Sequence, residues 1–167
     1  DNAGVLNRVE FHTIVMNSHG LIAKDDGTFF EASLTATAKE GAKSSEGSES
    51  TAGRSLRELK PKAIGKKAAE MAVDGLKARP LKEGTYEVIL DSEPAVNIDG
   101  YVAWLVSPMI AKLYYPLFVD KLGKQVGSKQ LNVLDNPLMP GGVGSAPVDE
   151  EGAPSKKVTI MEKGCLL

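Results

Sequence analysis

From Phe30 to Ala38 apolar and polar residues alternate without a break. Phe30, Ala32, Leu34, Ala36 and Ala38 interleave with Glu31, Ser33, Thr35 and Thr37. A period of two puts the first set on one face of a strand, so this segment predicts a sheet with one buried face and one wet face. Every other element has to be compatible with covering that sheet. Upstream, Val9 to Ser18 is rich in β-branched and ring side chains, a second strand signature. Asn17-Ser18-His19-Gly20 is turn chemistry, Leu21–Lys24 reads as a short continuation, and Asp25-Asp26-Gly27 reads as a hairpin turn.

Lys39 to Gly53 contains no large apolar side chain. Without surface to bury it cannot offset its ordering entropy, and it is expected to be a mobile loop. A helix follows, with Pro61 in its first turn. Ile64, Ala68, Met71, Ala72 and Leu76 recur at helical spacing, and Pro80 ends it. Lys39–Lys82 carries 11 bases and 6 acids, although the whole chain has a net charge of −2. Those bases read as a solvated helix face, because no aromatic side chains are interleaved to stack nucleic-acid bases.

Gly84-Thr85 opens a second unit. Tyr86–Leu90 is expected as a strand, Asp91 to Pro94 as a helix start, and the helix as running to Ser107-Pro108. A further apolar stretch, Met109–Leu122, must kink or end at Pro116. Leu131–Leu134 predicts a strand and Asn136–Gly152 a long loop. Val158–Met161, the Glu162-Lys163-Gly164 turn and Cys165–Leu167 predict half of another hairpin. The fold class is therefore α+β: mixed or antiparallel sheets with packed helices.

Chemistry is sparse. His12 and His19 stand seven apart, an odd offset that places them on opposite faces of one straight strand. Cys165 is the single cysteine, so an internal disulfide is excluded and a reducing, cytoplasmic setting is expected. No apolar run approaches the length of a membrane span, and no signal peptide is visible. Gly142-Val143-Gly144-Ser145-Ala146 is no hydrolase elbow, since position 147 is Pro. Pro140 to Ser145 lacks the Lys-Ser/Thr ending of a phosphate loop, and Asp149-Glu150-Glu151 lacks the alternating spacing of a calcium loop. No metal or other cofactor is expected.

One resemblance reaches further. Leu122-Gly123-Lys124-Gln125-Val126-Gly127-Ser128, Leu131 to Pro137 and Pro140 to Pro154 resemble the TldD/PmbA family, whose members are also called modulators of DNA gyrase. Lys156-Lys157, Val158–Ile160 and Glu162-Lys163-Gly164 fill the basic pair, strand and turn that follow in that family. Asn17-Ser18-His19-Gly20-Leu21 stands where the family has an N-S-x-G-L hairpin. The resemblance implies that the chain is a fragment of a longer polypeptide. Residues 1–82 would close the family's N-terminal α/β domain, and residues 83–167 would open its β-rich C-terminal domain.

The family's peptidase branch binds zinc through H-E-x-x-x-H on the helix after that second domain's first strand. A gap-free placement puts Gly100, Tyr101 and Leu105 at the His, Glu and His positions. None offers an imidazole or a carboxylate, so no catalytic residue carries over. The resemblance thus implies the PmbA (TldE-like) branch: a non-catalytic subunit of a metallopeptidase system for peptide maturation or degradation. The expected partners are a second copy or a zinc-bearing family member, with a peptide as substrate and neither membrane nor nucleic acid. A module acting on DNA gyrase, and an enzyme whose site lies outside this chain, are the alternatives. Trp104, Tyr114, Tyr115 and Phe118 read as core or as an assembly surface, and the Pro140–Gly152 loop as shaping a groove or subunit contact.

Overall fold

A computed structural model describes residues 1–107, 110, 113 and 116–167, with Asp99 and Pro116 described for the backbone alone. Among these the chain forms two compact units, 1–82 with 137–155, and 83–136 with 156–167. The described residues include two antiparallel three-stranded sheets and the helices that accompany them, an α+β protein as expected from the sequence.

In the first unit β1 (Asn2–Met16) and β2 (Ile22–Glu40) pair over their whole length, and β3 (Lys43–Gly53) adds to β2. The expected turn at Asn17–Gly20 is present. The Asn17 side-chain oxygen accepts from the backbone N–H groups of His19 and Leu21, and Gly20 sits at φ 88°. That turn fixes a register in which Asp25, Asp26 and Gly27 lie inside β2, opposite Thr13, His12 and Phe11. The Asp-Asp-Gly hairpin turn expected there is therefore corrected: a ladder already closed four residues earlier overrides local turn chemistry.

The mobile loop expected over Lys39–Gly53 is likewise corrected. Gly41, at φ 59°, turns the chain, and the next eleven residues pair with β2. Their side chains are too small to announce a strand, and that smallness is what the packing requires. Helix α1 (Pro61–Gly75) lies so close to Gly47 that a Cβ there would meet the Ala68 carbonyl and the Ala72 nitrogen. Ala36, Ala68 and Ala72 form the core, with Leu34 and Ala38 against them. Of the periodic residues in α1, Ile64, Ala68 and Ala72 are buried, whereas Met71 is exposed. The helix stops at Gly75, five residues before Pro80.

The second unit holds α2 (Ser92–Leu105) and the sheet of β4 (Val133–Asp135), β5 (Val158–Glu162) and β6 (Cys165–Leu166). Ile110, Met161 and Leu166 are its buried hydrophobic side chains among the described residues. Gly164, at φ 74°, makes the tight turn, and its N–H donates to the Leu131 carbonyl. The Gln125 amide bridges the carbonyls of Gly127 and Lys163 at 2.7 and 2.8 Å. Tyr86–Leu90, expected as a strand, is not one: it has no regular secondary structure and is exposed, with Ile89 100% accessible. Strand propensity needs a neighbouring edge to act on, and none of the described strands pairs with it.

Candidate functional site

Asp91 fixes the start of α2, its carboxylate accepting from the Ser92 N–H at 2.7 Å, with Glu93 favouring the positive end of the helix. The helix then carries Gly100, Tyr101 and Leu105 in its C-terminal half. Nothing lies within 4 Å of where a Gly100 Cβ would stand, Tyr101 is 68% exposed, and Leu105 is half-buried. Asn97, Gly100, Tyr101 and Trp104 line a shallow hollow of about 280 Å³. A phenol, an aliphatic side chain and a bare backbone position do not fit zinc, which takes imidazole, thiolate or carboxylate donors. Among the described residues no three His, Cys, Asp or Glu side chains gather as a metal site.

Trp104 and Phe118 belong to the aromatic group singled out from the sequence, while Tyr114 and Tyr115 lie outside the described residues. Trp104 is 45% exposed and Phe118 half-buried. Phe118 helps line an apolar cavity of about 730 Å³, with Val106, Ile160 and Leu166.

The two histidines do not share a strand. His12 is on β1, its Nδ1 2.9 Å from the Asp26 carboxylate and its Nε2 4.0 Å from Glu10, while His19 is in the turn. Ser145 Oγ donates to the Met139 carbonyl at 2.7 Å. Asp149 is a structural cap, accepting from the N–H groups of Glu151 and Ala153 at 3.0 and 2.8 Å. Lys77 is held above its ordinary pKa by a hydrogen bond to Asp74 and by that carboxylate's charge, at the exposed end of α1.

Sequence reasoning missed Arg54. Its Nε donates to the Gly142 carbonyl and a terminal nitrogen to the Ser145 carbonyl, both at 3.1 Å, and its guanidinium lies 5.1 Å from the Phe11 ring centroid. Its own carbonyl accepts from Thr28 Oγ1 at 2.6 Å. The glycine-rich run therefore presents carbonyls to a cation, the opposite polarity of a phosphate cradle. Farther along, Gly152 sits against Leu21 and Val15, so the 137–155 segment is held at two places, by Arg54 just past β3 and by the closed end of the β1–β2 hairpin. A partner some ninety residues distant leaves no local signature.

Comparison with known proteins identifies the family. Residues 2–76 match the model of the PmbA/TldA metallopeptidase central domain, and residues 83–167 that of the PmbA/TldA metallopeptidase C-terminal domain. A metalloprotease of Methanocaldococcus jannaschii is 34% identical over 136 residues, 80% of this chain and 30% of that protein. The metalloprotease PmbA of Escherichia coli O157:H7 is 26% identical, over 90% of this chain and 34% of its own length. The crystal structure of a candidate DNA gyrase modulator from Thermotoga maritima superposes with a TM-score of 0.78 at 27% identity, covering 98% of this chain and 38% of that one. TldE from Thermococcus kodakarensis shares the fold, with a TM-score of 0.61 at 20% identity. The chain spans about a third of the length of these relatives. It belongs to the PmbA/TldD metallopeptidase-related family.

Proposed function

From that membership we propose that the chain is part of a non-catalytic subunit of a PmbA/TldD peptidase system, acting in peptide maturation or degradation beside a zinc-bearing family member. The feature that supports this reading is the composition of α2: in the gap-free placement that the family resemblance implies, Gly100, Tyr101 and Leu105 stand where the motif has His, Glu and His. A metallopeptidase needs a Lewis acid on the scissile carbonyl and a base for the attacking water. A bare backbone position, a phenol and an aliphatic side chain supply neither the zinc-binding donors nor the carboxylate base of that chemistry. What this subunit contributes is scaffold, with Arg54 holding the 137–155 segment against the hairpin, where it can shape a groove or a subunit contact.

The test incubates an unstructured peptide with this chain alone, with a zinc-bearing family member alone, and with both, each with and without a chelator. Chelator-sensitive cleavage is expected only where the zinc-bearing protein is present, and it should rise when this chain is added. Cleavage by this chain alone, in a preparation free of contaminating protease, would sink the proposal.

The second reading, a module acting on DNA gyrase, takes its support from the description of the Thermotoga maritima relative and from the basic 39–82 segment. Several of those bases are already paired with acids, Lys66 with Glu70 and Lys67 with Glu49. Retention of DNA at physiological salt would favour it.

A further inference from the structure

The chain between β4 and β5 closes on itself twice. Below it, Asp135 pairs with Val158 and fixes a stem. The Ala146 N–H then donates to the Pro137 carbonyl at 3.0 Å, and the Ser155 N–H to the Pro147 carbonyl at 3.0 Å. The first loop, 137–146, is braced from within, because the Met139 carbonyl accepts from both the Gly142 N–H and Ser145 Oγ. The second loop, 147–155, holds a Val148–Pro154 bridge and the Asp149 cap. Entry and exit therefore meet beside the Ala146–Pro147 link, the geometry of a self-packed surface loop with a narrow neck. Pro137, Pro140, Pro147 and Pro154 narrow the conformations the segment could adopt if released, so the two loops keep their shape without outside support.

Few bonds tie this body to the rest of its unit. Among the described residues, the hydrogen bonds that leave 137–155 are the two from Arg54 to the Gly142 and Ser145 carbonyls, both in the first loop. The second loop meets the closed end of the β1–β2 hairpin at Gly152. A Cβ there would run into the Leu21 side chain and stand 3.4 Å from Val15. No backbone ladder among the described residues joins the segment to β1, β2 or β3.

We propose that 137–155 is a hinged flap that docks on the hairpin and lifts from it as a single body, with Arg54 as its latch. This goes beyond the peptidase reading and does not rest on it. A segment rich in internal bonds and poor in external ones lifts at a lower free energy than it melts. Closed, the flap covers Val15 and Leu21 and engages the guanidinium with carbonyls. Open, it presents an apolar floor and a freed guanidinium side by side, while water satisfies the released carbonyls. Because the two loops are joined at their necks, an attachment lost in one must loosen the other.

Nuclear magnetic resonance of the intact chain with Arg54→Ala tests this. In the parent, cross-relaxation from the Gly152 α-protons to the Leu21 and Val15 methyl groups should mark the docked flap. Removing the latch should shift docking toward the open form by on the order of tenfold or more, so those signals lose most of their intensity although Arg54 bonds to the other loop. The Ala146 and Ser155 N–H groups should stay as protected from hydrogen exchange as in the parent, because their partners move with them. The reciprocal variant, Leu21→Ala, should speed exchange of the Arg54 Nε–H. Unchanged β1–β2 amide signals report an intact hairpin, and Arg54→Lys repeats the test at smaller amplitude where Arg54→Ala disturbs it. Gly152 signals of full intensity in the Arg54 variants overturn the proposal, since the loops are then attached independently. Lost protection at Ala146 and Ser155 overturns it as well, because the segment then melts instead of lifting. So does a parent in which Gly152 shows no contact with the hairpin.

Discussion

Arg54 donates from Nε to the carbonyl oxygen of Gly142 at 3.1 Å, joining the end of β3 to the glycine-rich part of the 137–155 stretch. The guanidinium also reaches Ser145 and lies over Phe11, while Gly27 leaves it room, since a Cβ there would meet both Arg54 and the Phe11 ring. Arg54→Ala should therefore cost about 2–3 kcal/mol, the loss of two charge-assisted bonds with two carbonyls left to find water. Arg54→Lys should recover less than half of that, because one ammonium cannot reproduce the planar fork. Urea unfolding measures the cost. Limited proteolysis should show cleavage within 137–155 appearing in both variants, and unchanged cleavage there would remove Arg54 from this role.

How much of this was legible in the sequence follows from which forces are local. Alternation over Phe30–Ala38 and the Ile64–Ala68–Ala72 stripe reflect burial of the residues themselves, so β2 and α1 could be read directly. β3 could not, because it holds its place through small size under a helix rather than through its own apolar surface. The Asp25-Asp26-Gly27 signal is real turn chemistry overridden by a register set at Asn17. Tyr86–Leu90 has the propensity of a strand but pairs with none of the described strands. Arg54 depends on residues near position 142, and the α2 positions gain meaning only through family resemblance.

Two glycines on facing elements should respond in opposite directions. At Gly47 an added methyl group would meet the backbone of α1, which cannot move without disturbing the Ala36–Ala68–Ala72 core. Gly47→Ala should destabilise by about 1–3 kcal/mol. At Gly65, inside α1, nothing lies within 4 Å of the added atom. Gly65→Ala should stabilise by about 0.5–1 kcal/mol through helix propensity alone. Thermal unfolding of the two variants beside the parent checks both signs.

Hydrogen exchange should separate the two segments whose sequences mislead. Backbone N–H groups of β3 that bond to β2 should exchange slowly despite the polar, serine-rich sequence, because the ladder and α1 protect them. Those of 86–90 should exchange fast despite the apolar sequence, since that stretch is exposed and outside both sheets. Mass-resolved exchange of the intact chain reads both at once. Protection in 86–90 equal to that in β3 would mean that this stretch pairs as a strand after all.

The motif positions of α2 lend themselves to a gain-of-binding experiment. A regular helix turns about 100° per residue, so positions 100 and 105 are about 140° apart around its axis, while 101 and 105 share a face. Gly100→His, Tyr101→Glu and Leu105→His together would point one imidazole away from the other two groups. Tight zinc binding needs at least three converging protein donors, so the triple variant should bind zinc weakly and lose it to a mild chelator. A control pair, Tyr101→His with Leu105→His, puts two imidazoles one turn apart and should bind zinc more tightly than the triple variant does. Competition titration against a chromogenic indicator ranks the two. Stoichiometric, chelator-resistant zinc on the triple variant would mean that α2 bends to gather ligands, and the motif could then be restored by side-chain replacement alone.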